Sequence, residues 1–310
     1  MQRALALAVD FGGTKVEAAL VDDRGQLLAG SRHRRPTGAS ASSIDLGAAV
    51  REVVAHALKS VPDDAPLTGV GIGAAGPVDA EHGLVSPLNV PAWRDHPLAA
   101  SVAELVPEAP VTLRIDGLCI ALAEHWVGAG QGVSNLLGMI VSTGVGGGLV
   151  LGGRAASSPT GNGGHIGHVE VGGFDDACAC GGRGCLEAVA SGPRTVAWAR
   201  TQGFTGETGE ELADAHAAGD PTAVAAVARA GTAIGHAIAS AANLLDLDVV
   251  AIGGGFSRVS PALFEHARAA VAERAAFPFV SRVQIVPSGL SDEGPLIGAA
   301  ALVHRPEFLT

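Results

Sequence analysis

Three cysteines and one histidine are spaced along the chain so that they could bind one metal ion. Cys178 and Cys180 are separated by a single residue, Cys185 follows them, and His168 precedes them. Three thiolates and an imidazole fill the tetrahedral coordination of Zn²⁺ and leave no position for a catalytic water, so we predict a structural zinc site. The alternatives are free thiols or a disulfide, but a Cys-x-Cys disulfide would be strained and would leave one cysteine of the three unpaired. The fourth cysteine, Cys119, is predicted to pack as a small apolar side chain.

A glycine turn near the start of the chain could bind phosphate and magnesium. Its residues lie between two predicted strands and are Asp10, Phe11, Gly12, Gly13, Thr14 and Lys15. The glycines let backbone N–H groups face an anion, the threonine and lysine add donors, and the aspartate can hold a hydrated cation. The spacing differs from that of a P-loop, which disfavours a P-loop ATPase. The alternative is an ordinary hairpin turn, because Asp before Gly-Gly is also good turn chemistry.

Two further glycine-rich segments could bind parts of a nucleotide. Residues 142–148 (Ser-Thr-Gly-Val-Gly-Gly-Gly) again lie between predicted strands and would offer a hydroxyl and bare backbone to a second side of a polyphosphate. A dinucleotide fingerprint is disfavoured there, because a strand rather than a helix is predicted to follow. Residues 252–255 (Ile-Gly-Gly-Gly) would allow a flat ligand such as adenine or its ribose to approach closely. A simple strand-to-helix turn is the alternative for this third segment.

Asp116 is the candidate general base. It lies where a predicted strand ends and a predicted helix begins, and a carboxylate at that position could face a cleft and accept the proton of an attacking hydroxyl. Phosphoryl transfer otherwise depends mainly on positioning and charge neutralisation. The alternative is that Asp116 only caps the helix, where its side chain would satisfy unpaired backbone donors.

The elements that must position these residues alternate between strands and helices. Short apolar runs predict strands at 4–10, 16–22, 26–31, 67–72, 111–115, 136–142, 149–151, 249–252 and 283–286, the first three forming an antiparallel meander. Helical spacing of apolar residues predicts helices at 42–60, 116–126, 193–201, 209–217, 221–245 and 293–302. Two similar halves predict an α/β fold with two lobes and a cleft between them. We assign 1–115 with 296–310 to a small lobe and 116–295 to a large lobe. The large lobe carries the loop with the predicted zinc ligands, residues 168–185, which we call the zinc loop.

Composition and charge exclude several classes of function. The 310 residues carry a formal net charge of −11, whereas nucleic-acid binding depends on Lys and Arg neutralising phosphates. The short basic run 32–35 is interpreted as a solvated strand end or loop, and the residues before Asp10 are too few for a helix-turn-helix. No stretch approaches about 18 uninterrupted apolar residues, and the start lacks the pattern of a signal peptide. We therefore expect a cytoplasmic protein that binds neither nucleic acid nor membrane.

The motifs together resemble those of the ROK family of sugar kinases, which includes bacterial glucokinases and N-acetylmannosamine kinases. The resemblance runs through nearly the whole chain and includes residues 10–15, 73–78, 89–93, 116, 144–148, 167–168, 178–180, 184–187, 292–293 and 296–300. It implies an actin-like, ribonuclease H-like fold with a central cleft, in which the γ-phosphate of ATP is transferred to the 6-hydroxyl of a hexose. A homodimer or homotetramer is expected.

The resemblance also implies a role for each site residue. Mg²⁺ would lie near Asp10, and ATP would contact this turn and the two other glycine-rich segments through Gly12, Gly13, Thr14, Lys15, Thr143, Gly144 and Gly254. Asp116 would be the catalytic base, and the hexose would contact Gly76, Asn89, Asp116, His165, His168 and Glu187. Zinc, held by His168, Cys178, Cys180 and Cys185, would fix the loop that presents His168 and Glu187 to the sugar.

Two residues depart from the family pattern. Where the family has Asn-Asp the chain has Ile115-Asp116, and where the family has Glu in the run Ala-Gly-Glu-Ile-Gly-His the chain has His165. A substrate hydroxyl left without a partner costs about 1–3 kcal/mol, so the preferred sugar is predicted to differ from plain glucose. We expect a modified hexose, such as an amino or deoxy sugar (kanosamine is one example). The alternative is a sugar-binding regulatory protein of the same family that has lost turnover.

Overall fold

The strands of the protein form two five-stranded sheets and one short hairpin. The computed structural model describes residues 4–63, 65–156, 158–290 and 292–309. Its strands are β1 Leu5–Phe11, β2 Lys15–Asp22, β3 His33–Pro36, β4 Leu67–Ala74, β5 Val78–Asp79, β6 Leu84–Val85, β7 Val111–Ile115, β8 Leu136–Val141, β9 Val145–Leu151, β10 Arg154–Ala155, β11 Val249–Gly253 and β12 Gln284–Pro287. Its α-helices are α1 Ser43–Leu58, α2 Leu98–Ala103, α3 Asp116–Val127, α4 Leu186–Ala190, α5 Gly192–Thr201, α6 Gly209–Ala217, α7 Pro221–Leu245, α8 Ala262–Arg274, α9 Pro278–Ser281 and α10 Gly294–His304.

The two large sheets repeat one topology. The first has the strand order β3-β2-β1-β4-β7 and the second the order β10-β9-β8-β11-β12. In each sheet the first two neighbouring pairs are antiparallel and the last two are parallel. The turns that follow β1 and β8 therefore occupy equivalent positions in the two halves. This arrangement brings two of the predicted phosphate-binding turns to the same region of the molecule.

Helices α3 and α10 connect the two sheets. Helix α10 packs on β1 and β4 and also on α3, which in turn packs on β8 and β9. The approach is so close that a Cβ atom added to Gly298 would lie 1.8 Å from the Cys119 carbonyl oxygen. Cys119 itself is buried in α3, as predicted, and burial raises the pKa of its thiol well above the usual value. Because α3 contacts both sheets, the proposed division at residue 116 remains a prediction.

Two local predictions are wrong, and one long helix was missed. Residues 26–31 do not form the third strand: Gly25 and Gly30 adopt positive φ angles of 79° and 78°, and the strand begins at His33 instead. The glycines 146–148 lie inside β9 rather than in a turn, because their carbonyl and N–H groups pair with β8 across the sheet. Helix α8 was not predicted, since its sequence mixes alanines and charges without a clear apolar stripe.

Helix α7 is the one described helix that is long and apolar enough to cross a membrane by length and composition. Its most apolar stretch is 61% buried inside the protein. Gly231 and Gly235 let α8 approach α7 closely, since a Cβ atom at either position would lie within 2.6 Å of a backbone oxygen of α8. These contacts identify α7 as a core helix.

Candidate active site

One cleft of about 260 Å³ receives residues from both large sheets. It is lined by every predicted nucleotide, catalytic and sugar residue, namely Asp10, Gly12, Gly13, Thr14, Lys15, Gly76, Asn89, Asp116, Thr143, Gly144, His165, His168, Glu187 and Gly254. These side chains come from segments as far apart as β1 and the end of β11. The structure thus brings together the residues that the sequence pointed to, whereas their individual roles remain predictions.

Asp10 is the next-to-last residue of the buried strand β1 and lines the cleft. Only 6% of the residue is exposed, and burial raises the pKa of its carboxyl to about 7. The Lys15 ammonium, 4.0 Å from Asp10 Oδ2, opposes this rise, whereas Asp116 adds to it. Burial in turn lowers the pKa of Lys15. A buried, incompletely neutralised carboxylate is favourable for binding a cation.

The turn after β1 is held by backbone and side-chain contacts. The Gly12 N–H donates to the Lys15 carbonyl at 2.8 Å, and the Thr37 hydroxyl donates to the Gly12 carbonyl at 2.8 Å. A Cβ atom on Gly13 would lie 3.1 Å from Cβ of Asn89, so the turn and the Asn89 loop are in direct contact. Glycine at this position allows both to line one cleft.

Asp116 is the first residue of α3 and lies at the carboxyl end of β7. Burial raises the pKa of its carboxyl to about 6, and the negative charge of Glu187 adds to this rise. The Gly117 N–H opposes the rise, because it donates a hydrogen bond to Oδ1 at 2.7 Å. The interpretation of Asp116 as an N-cap is wrong, because Ile115 occupies the cap position and no side chain caps this helix. The carboxyl group is therefore free to face the cleft as a proton acceptor.

Glu187, in the first turn of α4, lines the cleft and contacts the turn after β8. Its Oε2 accepts the Val145 N–H at 3.0 Å, and a Cβ atom on Gly144 would lie 2.5 Å from the same oxygen. Glycine is required at 144 for this contact. The charge of Glu187 also reaches Asp116 strongly enough to raise the pKa of that carboxyl.

The two departures from the family pattern have different surroundings. His165 lines the cleft and stacks on His168, with ring centroids 4.8 Å apart, and burial together with His168 lowers its pKa. Ile115 is only 2% exposed and packs against Gly76, where an added Cβ atom would lie 2.7 Å from Ile115 Cδ1. His165 therefore lines the cleft with a lowered pKa that favours the neutral imidazole, whereas Ile115 is part of the buried core.

The four predicted zinc ligands lie together. Their donor atoms are all within 4.8 Å of one another, with 3.6 Å between Cys178 Sγ and His168 Nδ1 and 3.6 Å between Cys180 Sγ and Cys185 Sγ. Tetrahedral Zn²⁺ with Zn–S and Zn–N bonds of about 2.3 and 2.05 Å needs S···S and S···N separations of about 3.8 and 3.6 Å. The donor set and its spacing therefore fit zinc.

Arg258 lines the cleft and was missed by sequence reasoning, although it follows the predicted adenine-binding glycines by only a few positions. Ser142 and Asp292, which belong to motifs identified in the sequence, line the cleft as well. The basic run 32–35 was predicted to be solvated, but two of its arginines form ion pairs. Arg32 and Arg34 each donate to Oε2 of the fully buried Glu17, at 2.9 and 3.1 Å. Glu17 also contacts Lys15. The alternation of basic residues with one buried acid on the neighbouring strand was the signal that could have revealed this network.

Comparisons with known proteins agree with this geometry. The chain matches the ROK family over residues 6–306. It is 31% identical to a glucokinase of Thermotoga maritima, covering 98% of this chain and 99% of that protein, and 32% identical to an N-acetylmannosamine kinase of Yersinia pseudotuberculosis, covering 95% and 96%. A crystal structure of a ROK glucokinase from Streptomyces griseus with glucose and AMPPNP superimposes with a TM-score of 0.84 at 29% identity, covering 97% of this chain and all of that chain. The chain therefore belongs to the ROK family, and the actin-like fold and ATP-dependent sugar kinase activity expected from its motifs are confirmed.

Proposed function

We propose that the protein transfers the γ-phosphate of ATP to the 6-hydroxyl of a modified hexose, such as an amino or deoxy sugar of the kanosamine kind. The observation that carries this proposal is the position of Asp116. Its carboxyl lies in a cleft that is also lined by residues of all three glycine-rich segments, and its pKa of about 6 keeps it mostly ionised at neutral pH. A base with a pKa near the working pH is well suited to proton transfer.

In the proposed reaction Asp116 accepts the proton of the sugar hydroxyl as the oxygen attacks the γ-phosphorus. The bond from that phosphorus to the β,γ-bridging oxygen breaks, and ADP leaves with the electron pair. Lys15 and the backbone N–H groups of Gly12 and Gly13 would contact the phosphates. These contacts would stabilise the negative charge that is spread over the phosphoryl oxygens in the transition state. Mg²⁺, bound near Asp10, would neutralise phosphate charge.

Arg258 would contribute to nucleotide binding in this scheme. It lies in the cleft wall beside Gly254 and Gly255, and its side chain is exposed. The Arg258 guanidinium is therefore available to an anionic phosphate or to the face of adenine.

Zinc would be structural in the proposed enzyme. His168, Cys178, Cys180 and Cys185 would complete its coordination, so zinc would hold the loop without contacting a reacting atom. The loop leads directly into α4, which carries Glu187. Zinc would thereby keep His168 and Glu187 in place for binding sugar hydroxyls.

The choice of a modified hexose rests on His165. A neutral imidazole offers one donor and one acceptor, whereas the carboxylate of the family pattern would only accept hydrogen bonds. A sugar that donates two hydroxyls to the carboxylate oxygens finds only one acceptor nitrogen here, and a sugar that also presents an acceptor at this position is favoured.

A screen of ADP release over glucose, mannose, amino hexoses, deoxy hexoses and N-acetyl hexosamines tests the proposal. The Asp116→Asn variant should show almost no turnover, whereas Asp214→Asn, which changes an exposed carboxylate of α6, should behave as wild type. Glucose turnover that no other hexose exceeds would refute the modified-hexose proposal. Sugar binding by calorimetry without any ADP release would instead favour the regulatory alternative.

A further inference from the structure

One arginine of α7 contacts the zinc loop on both sides of its cysteines. Arg229 Nη2 donates to Asp176 Oδ2 at 2.6 Å, just before Cys178, and Nη1 donates to the Val189 carbonyl at 3.4 Å, in the helix after Cys185. Its guanidinium also packs over two aromatic rings, with Cζ 5.1 Å from the centroid of Phe174 and 5.1 Å from that of Trp198. Arg229 therefore joins α5, α7, the zinc loop and α4 at one point.

The contacts of Arg229 are sheltered from water. The side chain of Arg229 is 16% exposed and that of Asp176 is 28% exposed. Asp176 is in turn tied to the far end of the loop, because its carbonyl accepts the Gly184 N–H at 2.9 Å. A charge-assisted pair between partly buried groups restrains geometry more than an exposed pair does. The position of Asp176, and with it the hairpin that carries Cys178 and Cys180, thus depends on α7.

We infer that Arg229 is a positioning residue that sets the orientation of the zinc loop, and through it the positions of His168 and Glu187 in the cleft. The inference rests on the proposed roles of those two residues and of zinc. The planar guanidinium can pair with a carboxylate at its edge while it packs over both aromatic rings, and a lysine ammonium cannot make all three contacts in this way. The effect on the reaction would be indirect, because Arg229 does not line the cleft.

The same loop contains a matched control. Arg183 forms a two-pronged pair with Asp175, through Nε at 2.5 Å and Nη2 at 2.8 Å, but these side chains are 63% and 78% exposed. Exposed pairs contribute little to stability or position. The two acidic partners, Asp175 and Asp176, are neighbours in the chain, so replacing each arginine removes the same charge from one of two adjacent ion pairs.

The test compares zinc release and kinetics in Arg229→Met, Asp176→Asn and Arg183→Met with the wild type. On challenge with a chelator, the Arg229 and Asp176 variants should release zinc about tenfold faster than wild type, and the Arg183 variant at the wild-type rate. The KM for the hexose should rise in the first two variants, whereas the KM for ATP stays within about twofold. Arg229→Lys should recover only part of the loss, because it restores charge without the planar contacts.

Asp176→Asn keeps Arg229 on its aromatic rings, so it tests the pair even where Arg229→Met fails to fold. Equal zinc release and equal hexose KM in the Arg229, Asp176 and Arg183 variants would overturn the inference alone. A parallel rise in the KM for ATP would also overturn it, because a general loss of structure would then account for the effect. Wild-type protein that holds no zinc or phosphorylates no hexose would overturn the proposed function and this inference together.

Discussion

Replacement of Asp116 by asparagine is the sharpest test of the chemistry, because the raised pKa of this carboxyl also predicts how the rate depends on pH. The variant keeps the size of the side chain and the Gly117 N–H contact partner but removes the proton acceptor. Loss of a general base lowers the rate by about 10²–10⁴-fold. We therefore expect kcat of Asp116→Asn to fall by that factor, with little change in the KM for ATP.

The pKa of about 6 for Asp116 predicts how the kcat/KM of the wild-type enzyme falls on the acid side of its pH profile, its acid limb. A base must be ionised to act, and such a group is about 91% ionised at pH 7 and about 9% ionised at pH 5. The value of kcat/KM, which reports groups of the free enzyme, should therefore fall about tenfold between these pH values. Saturating Mg²⁺ should be present so that Asp10 stays ionised throughout.

The assay is steady-state ADP release from pH 5 to 8 with wild type, Asp116→Asn and the exposed control Asp214→Asn. The control should reproduce both the wild-type rate and the acid limb. Residual activity above about a tenth of wild type in Asp116→Asn, or the same acid limb in that variant, would refute the assignment of Asp116 as the base.

Three further predictions concern stability and specificity. Between about pH 4 and pH 7 the folded protein binds a proton at Asp10 that the unfolded protein does not, so the free energy of unfolding falls as pH rises. In urea unfolding without metal, Asp10→Asn should therefore be more stable than wild type by up to about 4 kcal/mol at pH 8 and no more stable at pH 4. Glu124→Gln should lower the free energy of unfolding by about 1–3 kcal/mol, because this buried carboxylate accepts hydrogen bonds from the Ala129 and Gly289 N–H groups and from the Ser288 hydroxyl. The control Glu273→Gln, at an exposed position, should change the free energy of unfolding by less than about 0.5 kcal/mol. His165→Glu should raise kcat/KM for glucose relative to the preferred hexose by about tenfold or more, and an unchanged ratio would show that His165 does not select the sugar.

Local chemistry made part of the fold and site predictable. The predicted helices 42–60, 116–126, 209–217 and 221–245 and most strands lie within a few residues of the observed elements, because apolar periodicity records which face of an element is buried. Predictions failed where contacts distant in the sequence determine strand pairing. Residues 26–31 form no strand because Gly25 and Gly30 adopt turn conformations, and residues 146–148 pair with β8 although their glycines are typical of a turn.

The site residues show the same division. The zinc ligands and the turn at 10–15 could be predicted, since their donors lie close together along the chain. That Ile115 faces the core while His165 faces the cleft could not be predicted, because side-chain direction there depends on how β7 packs against Gly76.

The cysteines and histidine of the zinc loop, the glycine turns and Asp116 were determined by the sequence alone, because each is a chemical group at a fixed place on a local element. The tertiary structure alone decided which of these groups share one cleft, and it added Arg258, Glu17 and Arg229 to the account. Arg229 lies 53 residues from Asp176 along the chain, yet their side chains are 2.6 Å apart. Such contacts arise from the packing of whole helices and sheets, which no local pattern of residues specifies.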